Sequence, residues 1–126
     1  MKERWDVPDY GPWTVKQGLV HVQPPFALTR RMLTARIHLD DVDEANAPLL
    51  IALGSHRQGF IPAHDVERVA GDCAVFACHA VAGDVWIYST PIVHASRAAE
   101  PGRRRRVLQV DFSGDALPDG LEWLEV

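Results

Sequence analysis

Short apolar runs separated by turn residues constrain the fold of this chain more than any other feature of its sequence. The runs are rich in β-branched and aromatic residues, and the one from Arg105 to Phe112 alternates cleanly, as a half-buried strand does. Strands are predicted over 32–39, 48–53, 73–81, 85–88, 91–94 and 105–112, and a short surface helix over 64–70. Parallel βαβ units need long helices between strands, and the sequence indicates none. The predicted fold class is therefore mostly β, of the sandwich or jelly-roll type, with one short helix.

The 126 residues suit one domain with one modest hydrophobic core, and residues 1–126 are treated as a single unit. The β core is expected over 31–112. Residues 1–30 carry four of the nine prolines and no sustained periodicity. They are expected to form an irregular, extended arm, or the end of a loop whose beginning is missing. Residues 113–126 are expected to form a turn-rich tail that ends on an apolar patch.

Charge and hydropathy limit the expected partners. The chain has 17 acidic against 13 basic residues and a net charge of −4, which argues against nucleic acid despite the basic run Arg103 to Arg106. The longest apolar stretch, Ala47 to Leu53, is far too short to cross a bilayer, and the N-terminus does not resemble a signal peptide. Cys73 and Cys78 are expected to be buried free thiols, as in a cytoplasmic protein.

Two of the six histidines have neighbours that suggest chemistry. His94 ends a predicted strand, and Arg105 opens the next one eleven residues later. If these strands are antiparallel neighbours, both side chains can face one interior. A neutral imidazole can bind Fe(II), and a guanidinium can hold a carboxylate with two hydrogen bonds, so the pair suits an organic acid that chelates a metal. The alternative is a surface histidine beside a solvated basic loop.

The segment His38-Leu39-Asp40 has the form His-x-Asp, which supplies two ligands of the facial triad of non-haem iron oxygenases. Residues i and i+2 share one face of a strand, so His38 and Asp40 could converge on an ion, with His94 as the third ligand. The pattern is short and common, and Asp40 opens an acidic turn. A solvated turn residue is the stronger interpretation of Asp40.

Several segments, in order and with the right spacing, resemble the phytanoyl-CoA dioxygenase family. The core segments are Asp40-Asp41, Asn46-Ala47-Pro48-Leu49, Gly54-Ser55-His56-Arg57, Ala82-Gly83-Asp84-Val85, His94-Ala95-Ser96 and Arg103 to Phe112. The flanking segments Trp13 to Lys16, His21 to Pro25 and Leu117 to Trp123 resemble its bacterial branch. The resemblance implies an Fe(II)- and 2-oxoglutarate-dependent oxygenase on a double-stranded β-helix, the jelly-roll core of the cupins.

The resemblance also implies roles for individual residues. His94 matches the distal iron-binding histidine, and Arg105 matches the arginine that binds the far carboxylate of 2-oxoglutarate. Ser96 matches a position that can hydrogen-bond the same carboxylate. His56 belongs to a strand-ending turn whose function looks structural, so it is a weak candidate. No side chain is assigned as a catalytic acid or base.

The chain departs from the family in its proximal His-x-Asp, which in relatives lies upstream of the Trp13 to Pro25 region. His38 and Asp40 do not replace it, because Asp40 and Asp41 match an acidic strand end that relatives carry in addition to their triad. The sequence therefore looks like the C-terminal portion of a β-helix oxygenase with an incomplete iron site. Three hypotheses follow from this: an oxygenase of a small organic molecule completed by a missing segment, a degenerate binding or scaffold module, and a metal-binding cupin that uses His38, Asp40 and His94.

A partial jelly roll exposes edge strands and an apolar face, which invites pairing with another chain. The sequence therefore predicts a homo-oligomer that associates through exposed β edges. The aromatic residues Trp5, Tyr10 and Trp13 of the arm are the expected cover for the exposed face.

Overall fold

A computed structural model describes residues 7–118 and 120–123 of the chain. The strands are β1 (Trp13–Lys16), β2 (Leu19–Val22), β3 (Leu33–His38), β4 (Leu49–Ala52), β5 (Val75–Cys78), β6 (Val85–Ser89), β7 (His94–Ala95) and β8 (Val107–Phe112). The helices are α1 (Phe26–Thr29) and α2 (Val66–Asp72), with short 3-10 turns at Glu44–Asn46, Ser55–Arg57 and Ala63–Asp65. The mostly β class expected from the sequence is confirmed.

The strands form two three-stranded sheets and one separate hairpin. Strand β3 lies between β6 and β8 in the first sheet, and β4 lies between β5 and β7 in the second, with every pairing antiparallel. The hydrophobic core takes residues from both sheets and from the loop after β6, namely Leu49, Ile51, Cys78, Tyr88 and Ile92, with Trp86 packed against them. The two sheets therefore pack face to face, as in a jelly roll.

Alternation along β3 defines the inner and outer faces of the first sheet. Thr34 and His38 are each 1% exposed, whereas Leu33 at the start of the strand is half exposed. Because side chains alternate across a strand, Arg36 shares the inner face with Thr34 and His38. Six of the eight strands and helix α2 overlap the segments that the sequence predicts, although β6, β7 and α2 each extend one or two residues further.

The segment expected to form an irregular arm differs from that expectation, because it contains the hairpin of β1 and β2. Trp13 pairs with Val22 and Lys16 with Leu19, so only Gln17 and Gly18 form the turn. Both turn residues have positive φ, 52° and 78°, which is the backbone of a type I′ turn. Glycine tolerates this conformation, but glutamine is an unusual residue for its first position, so the sequence carries no strong hairpin signal.

The tail packs back onto the rest of the chain. Arg31 donates two hydrogen bonds to the Asp115 carboxylate, at 2.9 and 3.0 Å, and Leu121 is buried. Trp5, which was expected to help cover an exposed face, lies outside the described residues, whereas Tyr10 of the same arm lines a cavity beside the tail. Among the residues that the structure describes, no helix is long and apolar enough to span a membrane.

Candidate functional site

Strand β7 directs His94 to the same side as the core of the second sheet, where the residue remains exposed. His94 lies opposite the buried Ile51 of β4, and directly opposed residues of an antiparallel pair project to the same face. Its Nδ1 lies 2.9 Å from the carbonyl oxygen of Ile92, so Nδ1 carries the proton and donates. A histidine held in this way presents Nε2 as a free acceptor, which is the arrangement of a metal-binding imidazole.

A buried turn fixes the start of this strand. Gly54 has a φ of 84°, which favours glycine, and the Ser55 side chain that follows is 0% exposed. The Ser55 hydroxyl accepts a hydrogen bond of 2.9 Å from the Val93 backbone N–H, next to His94. The Gly54-Ser55-His56 turn thus has a structural role, because its hydrogen bond holds Val93, the residue just before the candidate ligand His94.

Arg105 stands just before β8, at the position that continues the inner face through Val107. Its Nη1 donates to the Ala47 carbonyl oxygen. The loop that carries this carbonyl is rigid, because the Asn46 side chain donates to the carbonyls of Asp41, at 2.8 Å, and Arg104, at 2.7 Å. Ser96 is exposed and follows the end of β7.

The basic run 103–106 does not form a free cationic patch. Arg103 is paired with Asp43, and Arg106 with Asp40 through both of its carboxylate oxygens. Hydrogen bonds from the Arg106 side chain and backbone lower the pKa of Asp40 to about 2. In contrast to Arg103 and Arg106, Arg105 donates its hydrogen bond to a backbone carbonyl oxygen and not to a carboxylate.

The His38-x-Asp40 motif does not form a metal site in the structure. Asp40 is held by Arg106, while His38 is buried with neither ring nitrogen hydrogen-bonded. Among residues 7–118 and 120–123, no three His, Cys, Asp or Glu side chains are placed to hold a metal ion together. The structure therefore does not bring His38, Asp40 and His94 together as a ligand set.

Burial and charged residues of both signs affect the His38 imidazole. Burial is the largest effect that lowers its pKa, the Arg36 guanidinium lowers the pKa further, Asp84 opposes this, and Arg105 adds a smaller lowering. His38 is therefore neutral near pH 7. Arg36 lies two residues before His38 on β3, so the two side chains share one face of the strand.

Arg36 is the site residue that the sequence analysis missed. It lies opposite Trp86 on one side and Gln109 on the other, and its Nη1 donates to the Gln109 amide oxygen at 3.1 Å. Its Nε is buried without a hydrogen-bond partner. The signal that could have found it is its spacing, two residues from both Thr34 and His38 on one predicted strand.

Tyr88 connects Arg36 to the candidate metal ligand. Its ring centroid lies 6.1 Å from that of His94. Burial raises the pKa of Tyr88, while the nearby Arg36 guanidinium acts in the opposite direction. No hydrogen bond of normal geometry reaches the Tyr88 hydroxyl. Tyr88 is thus the described residue whose ring lies beside the candidate ligand His94.

A cavity of about 490 Å³ lies between the β1–β2 hairpin, β8 and the tail. Its apolar lining includes Val22, Met32 and Leu121, and its polar lining includes Gln109 and Asp111. The Asp111 carboxylate accepts a hydrogen bond of 2.6 Å from Thr34. The cavity is therefore lined by Gln109, the residue whose side-chain oxygen accepts a hydrogen bond from Arg36.

A second recess has acidic walls, but their carboxylates are already engaged. Glu44 lies 2.8 Å from His79 Nε2, Asp41 accepts a hydrogen bond from the Ala82 N–H, and Asp84 accepts one from the Val81 N–H. These contacts close the loop between β5 and β6 against the loop after β3. They stabilise the fold and do not extend the interior site.

A comparison with protein-family models found one matching family, phytanoyl-CoA dioxygenase, over residues 8–107. This match covers most of the chain. The chain belongs to the phytanoyl-CoA dioxygenase family. A search of curated proteins found no match. Within the family, Fe(II) and 2-oxoglutarate are the expected cofactors, and the resemblance noted in the sequence is confirmed.

Solved structures confirm the oxygenase fold. EctD from S. alaskensis, crystallised with 2-oxoglutarate and 5-hydroxyectoine, is 20% identical with a TM-score of 0.59, over 67% of this chain and 31% of its own. EvdMO1 is 20% identical with a TM-score of 0.63, over 85% and 24%. HygX from Streptomyces hygroscopicus, crystallised with nickel and 2-oxoglutarate, is 15% identical with a TM-score of 0.53, over 81% and 41%. The chain thus spans less than half the length of each of these proteins.

Proposed function

We propose that this chain forms the 2-oxoglutarate-binding part of a non-haem iron oxygenase that hydroxylates a small organic molecule. The observation that carries the proposal is the orientation of His94, whose Nδ1 contact with the Ile92 carbonyl oxygen leaves Nε2 available to a metal. The guanidinium of Arg105, which donates to the Ala47 carbonyl oxygen, supports it. Family membership supports the same assignment. The proposal places the protein in the cytoplasm, in agreement with its two free cysteines.

The residues present fit part of the expected cofactor set. His94 would be one iron ligand, Arg105 would bind the far carboxylate of 2-oxoglutarate in a forked pair, and Ser96 would donate to the same carboxylate. When bound in such a site, iron with 2-oxoglutarate as cosubstrate would allow O₂ to serve as the oxidant for hydroxylating an unactivated C–H bond. Two further protein ligands would complete an iron site, and the described residues do not supply them as a group.

The surrounding residues prepare the site for an anion. Burial is the largest effect that lowers the pKa of His38, so this ring adds no competing positive charge. Tyr88 belongs to the hydrophobic core, and the partly buried Trp86 packs against it. An anion bound in this environment interacts more strongly with a guanidinium than it would in bulk water.

The test is calorimetric titration of 2-oxoglutarate into the purified chain and into Arg105→Gln. We expect the substitution to weaken binding by about tenfold or more, because a charged hydrogen-bonded pair is lost. Arg57→Gln, at an exposed position in a 3-10 turn, is the matched control and should bind as the wild type does. Equal affinity of wild type and Arg105→Gln would overturn the assignment.

A second candidate is a catalytically degenerate module that keeps the binding pocket. It is favoured by the lack, among the described residues, of a group of three side chains that could hold a metal. Iron-dependent release of succinate from 2-oxoglutarate distinguishes the two candidates. Turnover by the 126-residue chain would reject the degenerate module, whereas binding without turnover would support it.

A further inference from the structure

We propose that Arg36, together with Gln109, binds an anionic group of the substrate, so that the substrate class is an organic acid with an apolar body. This inference rests on the proposed oxygenase function and adds the substrate class to it. Arg105 would then hold the cosubstrate while Arg36 holds the molecule that is oxidised.

The position of Arg36 is that of a ligand-binding residue. It lies at the centre of the first sheet, on the face that turns toward the core, between the buried Thr34 and His38. Gln109 fixes one end of the guanidinium, at 3.1 Å, and leaves the remaining N–H groups free to donate. Nε is buried and has no acceptor. A carboxylate is the ligand whose two oxygens match such a guanidinium.

The charge of Arg36 has no protein counter-ion in the described part of the chain. Arg31, Arg68, Arg103 and Arg106 each form an ion pair with an aspartate, whereas no such pair is formed by Arg36. The carboxylate that shares its face, Asp111, is used by Thr34. Placing a guanidinium beside a buried ring without an anion is costly, and a bound acid removes that cost.

Arg36 and Arg105 can hold two different anions. Arg36 is opposite Gln109 on β8, and Arg105 precedes Gln109 by four residues, so their backbone positions are about 13 Å apart along the strand direction. Arg105 donates a hydrogen bond to the carbonyl oxygen of Ala47, while Arg36 donates one to the side chain of Gln109 on β8. The two cations are therefore anchored at separate points of one interior.

The apolar body of the substrate is inferred from the cavity next to Gln109. Its volume of about 490 Å³ is in the range of small-molecule sites, and most of its lining residues are apolar. Gln109 belongs both to this lining and to the Arg36 contact. A molecule whose apolar part fills the cavity can thus extend its acidic group to Arg36.

The experiment compares butanoate, hexanoate and octanoate with their primary amides as probes for the wild-type chain. We expect the chain to prefer each acid over its amide by about tenfold, since hydrogen bonds to charged groups are stronger than neutral ones. Arg36→Gln should remove this preference and leave 2-oxoglutarate affinity unchanged, while Arg105→Gln should do the reverse. Saturating 2-oxoglutarate should leave the binding of octanoate to the wild type unchanged.

The controls separate this inference from the oxygenase proposal and from loss of folding. Arg57→Gln, at an exposed position, should behave as wild type with every probe. If Arg36→Gln does not fold, Arg36→Lys keeps the charge without the fork and should retain a reduced preference for acids. Competition between octanoate and 2-oxoglutarate, or an acid preference that survives Arg36→Gln, would overturn the inference. Equal binding of acids and amides by the wild type would also overturn the inference, even if Arg105 proves essential for binding 2-oxoglutarate.

Discussion

Arg103 and Arg106 lie against Asp43 and Asp40, whereas Arg105 between them donates to the carbonyl oxygen of Ala47. Arg106 is the next residue after Arg105 and points to the opposite side, and Arg103 lies close to the preceding turn, where its N–H donates to the Glu100 carbonyl oxygen. The outer pairs fix the loop before β8 at the surface. Because they do so, the guanidinium of Arg105 stays directed toward the interior, where an anion can reach it.

The Asp40–Arg106 pair gives a prediction about stability at low pH. Its hydrogen bonds hold the pKa of Asp40 at about 2, below the ordinary value of 3.8. The pair therefore stabilises the fold fully above pH 3.8, and this contribution is lost as the pH falls toward 2. Arg106→Gln should bring the Asp40 pKa back toward its ordinary value, which carbon-detected NMR titration measures. The unfolding free energy of this variant should then fall less than that of wild type between these two pH values.

The control for this prediction is Arg97→Gln, which changes an exposed arginine outside the pair. It should leave the Asp40 titration where it is in wild type. An Asp40 pKa that does not move in Arg106→Gln would show that the ion pair is not what lowers it.

At the scale of elements, the short strand β7 depends on its neighbours for its position. It pairs with β4 through only Leu50–Ala95 and Ile51–His94, and the Ser55 hydroxyl accepts the Val93 N–H just before it. A two-residue strand has little stability of its own. The buried turn after β4 therefore determines where His94 lies in the site.

Ser55→Ala tests this dependence. The substitution leaves the Val93 N–H without its acceptor in a buried environment, which should lower the free energy of unfolding by about 1–3 kcal/mol. Chemical denaturation measures this change. Ser113→Ala, which removes a similar hydrogen bond to the Asp115 N–H in the tail, should cost less because water can replace the lost acceptor. A smaller loss for Ser55→Ala than for Ser113→Ala would contradict the proposed support.

Element types could be predicted from the sequence wherever the hydrophobic pattern was strong. The run Arg105 to Phe112 alternates with period two, and β8 lies within it. The β1–β2 hairpin could not be predicted, since its turn residues Gln17 and Gly18 lack the Asn-Gly or Asp-Gly signal. Local propensity alone therefore does not indicate this turn.

The candidate site could be predicted only in part. His94 and Arg105 were predicted because their spacing matches a family pattern. In the structure His94 lies opposite Ile51, and Arg105 donates to the Ala47 carbonyl oxygen. Arg36 was missed because the sequence does not tell which face of β3 is buried. The His38-x-Asp40 motif, conversely, looked like a ligand pair until the contact of Asp40 with Arg106 was seen. Both residues are engaged by partners distant in sequence, Gln109 for Arg36 and Arg106 for Asp40, and a local sequence pattern does not show such contacts.

At the scale of the whole molecule, the outer face of the first sheet is apolar and exposed. Its exposed members include Leu33 of β3, Val85 and Ile87 of β6, and Leu108 and Phe112 of β8. The pairing registers of β3 place these side chains on the face opposite Thr34 and His38. A contiguous apolar face of this kind marks an interaction surface, and β6 and β8 also form the sheet edges in the described residues.

The self-association predicted from the sequence should therefore use this outer face. Ile87 is 65% exposed near its centre, and burying one such side chain contributes about 1.5–3 kcal/mol. Ile87→Lys should accordingly weaken association by about tenfold or more, measured by sedimentation velocity over a range of concentrations. Val15→Lys changes an equally exposed residue on the separate β1–β2 hairpin and should associate as wild type does. A wild-type chain that stays monomeric at the highest concentration, or an equal effect of the two lysines, would show that this face does not join copies of the chain.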